Sequence, residues 1–299
     1  MPHTRARKRR GPHRALRREV PSTVGLLVRE PDFALMRGYR SFTFDDHRSY
    51  LRQMEGLLRS LSGEGIHTRV AFFDPADYGL FCHVERLDPD SPASRTRYVA
   101  EVAAAGATVP YAGQPMARLI QHLTDARVCE SAGERAAAVL DRTGKCARCG
   151  ADIPHRAFDR AVRALSGLMA AAGEGRHHLV CSVGVPGTPL VTALEARTGP
   201  GGLPPSVREA AALALTTALA AGFATDSPGG LVLRTEREGV QDAVRGWSLE
   251  GGWLRALTAG EVFTAYCTDP ATGEPVAPEP GVDYLPGLDL PGPGGDLHC

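Results

Sequence analysis

The chain has 299 residues, 43% hydrophobic and 23% charged, with 34 basic against 34 acidic side chains. That composition suits a folded globular protein and excludes wholesale disorder. The formal charge of zero conceals a split, because residues 1–20 carry eight basic side chains against Glu19 alone, a net +7 that leaves −7 for the rest.

No uninterrupted apolar run reaches the roughly 18–20 residues that span a bilayer. The basic start is not followed by an apolar stretch long enough for a secretory signal. The sequence therefore predicts a cytoplasmic protein without a membrane segment. Seven cysteines, an odd number spread over a long chain, argue against a disulfide framework and for thiols or metal ligands.

In chain order, residues 1–22 mix Arg, Pro and His without apolar periodicity and are expected to be flexible. Thr23 to Val28 reads as a strand. Asp45 to Leu61 reads as a helix with Leu51, Met54, Leu58 and Leu61 on one stripe. Ile66 to Phe73 is the next strand, and Asp74-Pro75 has the cap-and-proline signature of a helix start. A helix from Arg95 to Ala105 and a short strand from Ala107 to Tyr111 follow. Gln114 to Leu140 is mostly helical, with a break expected near Cys129 and a capping box at Ser131 and Glu134. Strands alternating with helices imply an α/β lobe over residues 23–143, with parallel pairing.

The second half changes rhythm. A cysteine-bearing turn at 144–150 precedes a helix from Ile153 to Ala172, then a hairpin of His178–Val183 and Leu190–Ala196. Ser206 and Glu209 read as a capping box for a helix ending at Gly222. Leu231–Thr235, Ala243–Leu249 and Trp253–Leu257 form a β-meander, followed by a helix at 261–267. This pattern predicts an α+β lobe over residues 144–268. From Asp269 on, 13 of 31 residues are Pro or Gly, so residues 269–299 are expected to be an acidic, extended and mostly unstructured tail.

The strongest chemical signal is Lys145-Cys146-Ala147-Arg148-Cys149-Gly150. Two thiolates two residues apart can hold one tetrahedral zinc, and the glycine relaxes the turn that aims both sulfurs inward. Lys145 and Arg148 favour the thiolate form. His155, at the head of the next helix, is the best local third ligand, and Cys181 is the candidate fourth. Cys129, His177 and His178 are the other candidates, but a strand rise of about 3.3 Å per residue holds either imidazole far from Cys181. Zinc is accordingly the one cofactor expected.

His83-Val84-Glu85, taken with Cys146 and Cys149, resembles the H-x-E and P-C-x-x-C signature of zinc-dependent nucleobase deaminases. That resemblance implies a zinc hydrolase with Glu85 as proton shuttle. It departs from the family in placing Lys145 where proline stands and 60 residues between Glu85 and Cys146.

Asp74 follows a strand at the edge where open α/β sheets place ligands. With Asp77 and the Arg95/Arg97 pair it is a candidate anion-handling cleft. The basic residues Arg5, Arg7, Lys8, Arg9, Arg10, Arg14, Arg17 and Arg18 suit salt-sensitive contact with nucleic-acid phosphates. No aromatic interleaves them, so base stacking is not indicated.

The stretches Phe42–His47, Phe73–Tyr78, Arg95–Val102 and Ala265–Asp269 resemble uncharacterised cytoplasmic proteins of high-GC actinobacteria. The likeness carries no activity and no catalytic residue with it. The reading from sequence is a regulatory, nucleic-acid-associated protein with a structural zinc knuckle and no evident catalytic constellation. A zinc-dependent deaminase-like enzyme is the alternative, and a small-ligand binder near Asp74 and Arg97 is the third.

Overall fold

The computed structural model describes residues 22–105, 108–187, 189–200, 205–269 and 272–292. Among them are eight helices and ten strands, an α/β architecture that divides into two compact units, Met1–Arg127 and Val128–Cys299. The basic arm lies outside the described residues.

The first unit runs β1 (Ser22–Leu26), α1 (Glu30–Met36), α2 (His47–Gly63), β2 (Thr68–Phe72), α3 (Pro75–Glu85), α4 (Pro92–Ala104) and β3 (Thr108–Pro110). Its sheet has the order β1-β2-β3. β1 and β2 are parallel, Ser22 facing Thr68 and Leu26 facing Phe72, whereas β3 pairs antiparallel with β2. The expected parallel arrangement thus holds for the first pair only. β3 reverses direction although α4 leads into it.

Side-chain caps start α2, α3 and α4. Asp46 accepts the Ser49 N–H, Asp74 those of Ala76 and Asp77, and Ser91 that of Ala93, with Pro75 and Pro92 in their first turns. Leu26, Val70 and Val109 from the strands meet Phe33, Tyr50, Leu58, Tyr78 and Tyr98 from the helices in one core. α1 is absent from the sequence reading. Its seven residues are too few for apolar periodicity to show.

Helix α5 (Met116–Asp141) contains the division between the units. It is unbroken at Cys129, so Ser131 and Glu134 sit inside the helix and cap nothing. The Cys129 thiol instead accepts the Ala193 N–H at 3.4 Å. Gly133 lets Ala214 approach: a methyl there would lie 3.1 Å from the alanine Cβ.

In the second unit, α6 (Ile153–Ala172) and α7 (Glu209–Thr225) accompany strands β4 (Gly175–Val183), β5 (Leu190–Thr198), β6 (Ser206–Val207), β7 (Gly229–Glu236), β8 (Asp242–Glu250), β9 (Trp253–Ala256) and β10 (Val282–Tyr284), with α8 at Ala259–Tyr266. The sheet order is β10-β8-β7-β4-β5-β6, with β9 also on β8. Ser206 joins β6 and does not cap α7, whose N-cap is Arg208. The inward positions of β4, namely His177, Leu179, Cys181 and Val183, are all buried, the period-2 pattern of a one-sided sheet. Leu179, Cys181 and Val183 join the Ala/Leu face of α7 in one core.

The described part of the tail, residues 272–292, is tied down. β10 pairs parallel with β8. Beyond it the Leu285 N–H donates to the Val244 carbonyl, and Leu288 accepts the Trp247 indole N–H at 3.0 Å.

Candidate functional site

A cavity of about 650 Å³ opens beside β1 in the first unit. Its walls come from Thr23 and Gly25 of β1, Tyr50 and Met54 of α2, Val99 and Ala103 of α4, and the aromatic rings of Phe42, Phe44 and Phe73. Its size falls in the range of about 300–1,000 Å³ usual for small-molecule pockets, and its mostly apolar wall with few polar groups is the usual make-up.

The aromatic wall is braced by its own packing. Phe42 and Phe44 have ring centroids 4.9 Å apart, and Tyr50 meets Phe44 edge-on at 5.0 Å. Tyr50 is fixed in turn, since its hydroxyl accepts the Leu27 N–H at 3.1 Å. Burial pushes its phenol up to about 12, so it is a neutral hydrogen-bonding group at any ordinary pH. His47 donates from Nε2 to the Leu27 carbonyl at 3.0 Å. Asp46-His47 therefore caps and braces a helix.

The charged group on the wall is Arg95, in the first turn of α4. Its Nη1 donates to Ser41 Oγ at 2.9 Å and Nη2 to the Ser41 carbonyl at 3.4 Å. Ser41 is held from behind, where Asp90 accepts the backbone N–H groups of Arg40 and Ser41 at 3.1 and 2.7 Å. The Ser41 N–H is the main reason the Asp90 carboxyl lies below its ordinary range. A guanidinium has five N–H donors, and Ser41 engages two of its nitrogens, so Arg95 is oriented with donors to spare.

The other members of the anticipated anion cleft are placed elsewhere. Arg97 pairs with Glu85 at 2.6 Å. Asp77 pairs with Arg127 at 3.0 Å, and Asp74, 3.8 Å from the same guanidinium, caps α3. His83 is exposed near the C-terminal end of α3.

The turn at 144–152 is closed by backbone hydrogen bonds. Lys145 and Asp152 form an isolated bridge, the Cys146 N–H donates to the Ala151 carbonyl at 2.8 Å, and the Gly150 N–H to the Cys146 carbonyl at 2.8 Å. Gly150 takes φ +70°, the left-handed conformation glycine adopts without strain. Cys146 is buried and Cys149 exposed. The His155 imidazole lies 3.4 Å from Asp159. Cys181 stands inside the hydrophobic core, where burial raises its thiol to about 12. Among the described residues no three of His, Cys, Asp and Glu come together in a group that could hold a metal ion.

Sequence reading singled out Arg95 but missed the cleft it serves. Phe42, Phe44 and Tyr50 gather from a loop and a helix whose spacing in sequence says nothing of proximity. Gly25 within a strand was the one available signal, since a strand glycine often marks close approach of another group.

Residues 10–114 match a family described as a domain of unknown function (DUF8829). The match takes in every residue that lines the cleft. No curated protein and no solved structure matches the chain. No helix among the described residues is long and apolar enough to cross a membrane.

Proposed function

We propose that the first unit binds a small organic anion with an apolar body, seated beside β1 with its charged end on Arg95. The observation that carries this reading is a guanidinium pre-oriented by Ser41 on the wall of a cavity otherwise lined by aromatic and aliphatic side chains. Apolar contact supplies affinity and the single charge supplies orientation, the usual division of labour in small-molecule sites. Nothing in the wall is arranged as a nucleophile with its base, so the reading is a binding module.

Titration of the protein with 4-phenylbutyrate and with its uncharged amide tests this directly. The acid is expected to bind about 10–100-fold more tightly, the worth of a charge-assisted hydrogen bond. Arg95→Gln is expected to abolish the difference and leave the weak binding of the amide unchanged. Equal affinity for acid and amide in the unaltered protein would overturn the proposal.

A second reading is supported by the knuckle turn, which suits zinc held by Cys146 and Cys149. These two thiolates are half of a tetrahedral set; His155 is turned toward Asp159 and Cys181 is enclosed by core side chains. Metal content of the purified protein, with and without Cys146→Ser, is the measurement. Zinc in the parent and its loss in the variant support the reading, and metal-free parent protein from zinc-supplemented cells sinks it.

A further inference from the structure

The free edge of β1 narrows the class of anion. In its parallel pairing with β2, the Ser22 N–H donates to the His67 carbonyl at 2.9 Å and the Leu26 carbonyl accepts the Phe73 N–H at 3.0 Å. Ser22, Val24 and Leu26 therefore turn their backbone groups toward β2. In a parallel ladder a residue's N–H and C=O point the same way and successive residues alternate. Thr23, Gly25 and Leu27 consequently point outward, and β1 is the outer strand of its sheet among the described residues.

Leu27 is already satisfied, its N–H by Tyr50 and its carbonyl by His47. Those two side chains close that end of the edge. Thr23 and Gly25, which both line the cavity, are left presenting two N–H donors and two C=O acceptors to whatever occupies it. They are separated by two strand residues, about 6.6 Å, the repeat of an extended chain. A hydrocarbon body would leave those four groups without partners, whereas a peptide backbone matches them in kind and spacing.

Arg95 sets the direction. A methyl on Gly25 would lie 2.6 Å from Val99 Cγ2, so Val99 packs beside the middle of β1. Arg95 stands one helical turn earlier in α4, whose next residues bring Tyr98 to within 5.0 Å of Phe73 at the C-terminal end of β2. The guanidinium thus belongs to the end where β1 and β2 leave the sheet. A strand added parallel to β1 delivers its C-terminal carboxylate there.

We infer that the cleft takes the last residues of an apolar peptide with a free C-terminal carboxylate, added as a fourth strand on the edge of β1. The inference rests on the small-anion reading above and names its ligand class. Side chains of the added strand would alternate between the cavity, with Phe42, Phe44 and Met54, and solvent.

The test uses the full chain, isotope-labelled for amide NMR. The probe is a mixed library of N-acetylated tetrapeptides with Val, Leu, Ile or Phe at each position, as free acids, as C-terminal amides and as backbone N-methylated acids. The free acids are expected to bind, to shift the Thr23 and Gly25 amide resonances and to slow their exchange. Amidation and N-methylation are each expected to weaken binding about tenfold, by removing the charge and a backbone donor respectively. Arg95→Gln should cancel the acid-over-amide preference, and the N-methyl effect, read on the unaltered protein, does not depend on how that variant folds.

Free and N-methylated acids that bind alike overturn the inference, as do bound peptides that leave the Thr23 and Gly25 amides unmoved. If 4-phenylbutyrate binds through Arg95 while no peptide does, the peptide inference fails and the small-anion reading stands. If neither binds, both fail.

Discussion

Gly25 shows how one missing methyl group shapes this protein. A Cβ at that position would sit 2.6 Å from Val99 Cγ2, closer than real Cβ atoms approach, and a tight 3.1 Å from the Phe73 ring. Gly25→Ala is therefore expected to destabilise the first unit by about 1–2 kcal/mol, the overpacking cost less what alanine regains in the unfolded chain. Adding Val99→Ala should restore most of the loss, since it removes the atom in the way. Urea denaturation of the two variants measures both, and a neutral Gly25→Ala would mean that α4 is not seated on β1 as described. Residue-level signals of other kinds were only partly legible in the sequence. Asp74 reads correctly as a cap because capping is a local bargain between neighbours, whereas the helix expected from Asp45 begins at His47 with Asp46 as its cap. Arg95 and Arg97 read as a pair and are not one, because residues two apart on a helix face different ways. Arg95 turns to Ser41 and Arg97 to Glu85.

His177 makes a pH-dependent contribution that the sequence could not announce. It is fully buried on β4, with Nε2 donating to the Gly173 carbonyl at 3.1 Å, which leaves Nδ1 to accept the Thr235 hydroxyl at 3.1 Å. Desolvation is the main reason its imidazole titrates below the ordinary histidine value, and the folded state therefore keeps it neutral. The unfolded chain takes up the proton first as pH falls. Stability from this group is thus complete above about pH 6.5 and is lost below it, by at most about 1.4 kcal/mol per pH unit. His177→Gln should flatten the dependence of the melting temperature between pH 7.5 and 5; an unchanged slope would place the acid sensitivity elsewhere.

At the scale of elements, periodic segments were legible and aperiodic ones were not. Alternation along β4 and the apolar stripe of α2 are patterns that a one-sided surface imposes on sequence. The tail carries no such pattern, because an extended strap docks through isolated side chains and single hydrogen bonds. Leu288 and Leu290 pack on the second core, and the Gly287 N–H donates to the Leu257 carbonyl at 2.8 Å. Gly287 also passes so near Ala256 that an added Cβ would lie 3.0 Å from it. Truncation after Leu285 removes both leucines and leaves the Trp247 indole N–H without its acceptor. The expected loss is about 2–4 kcal/mol, from the unpaired donor and the lost apolar burial, with a red shift of tryptophan emission. Gly287→Val should do the same by unseating the strap without deleting it. Emission and stability that survive both changes would show the strap to be ornamental.

At the scale of the whole molecule, the family match and the candidate site coincide. Residues 10–114 contain the whole cleft and stop short of the second unit. The charge is distributed differently. Arm residues 1–20 bear +7, the remainder −7, and residues 261–299 have seven acids and no Lys or Arg. Nucleic-acid association through Arg5, Arg7, Lys8, Arg9, Arg10, Arg14, Arg17 and Arg18 is a proposal that this charge alone supports. If it is right, duplex DNA should bind at about 50 mM salt with an affinity falling steeply as salt rises. The logarithmic slope can be no steeper than about −7, given eight cations and about −0.9 per phosphate neutralised. Deleting residues 1–20 changes the formal charge from zero to −7 and should abolish that binding while leaving ligand affinity in the cleft untouched. DNA binding that persists after the deletion removes the arm from consideration. Loss of cleft binding with the arm would mean that Arg95 does not hold the anion by itself.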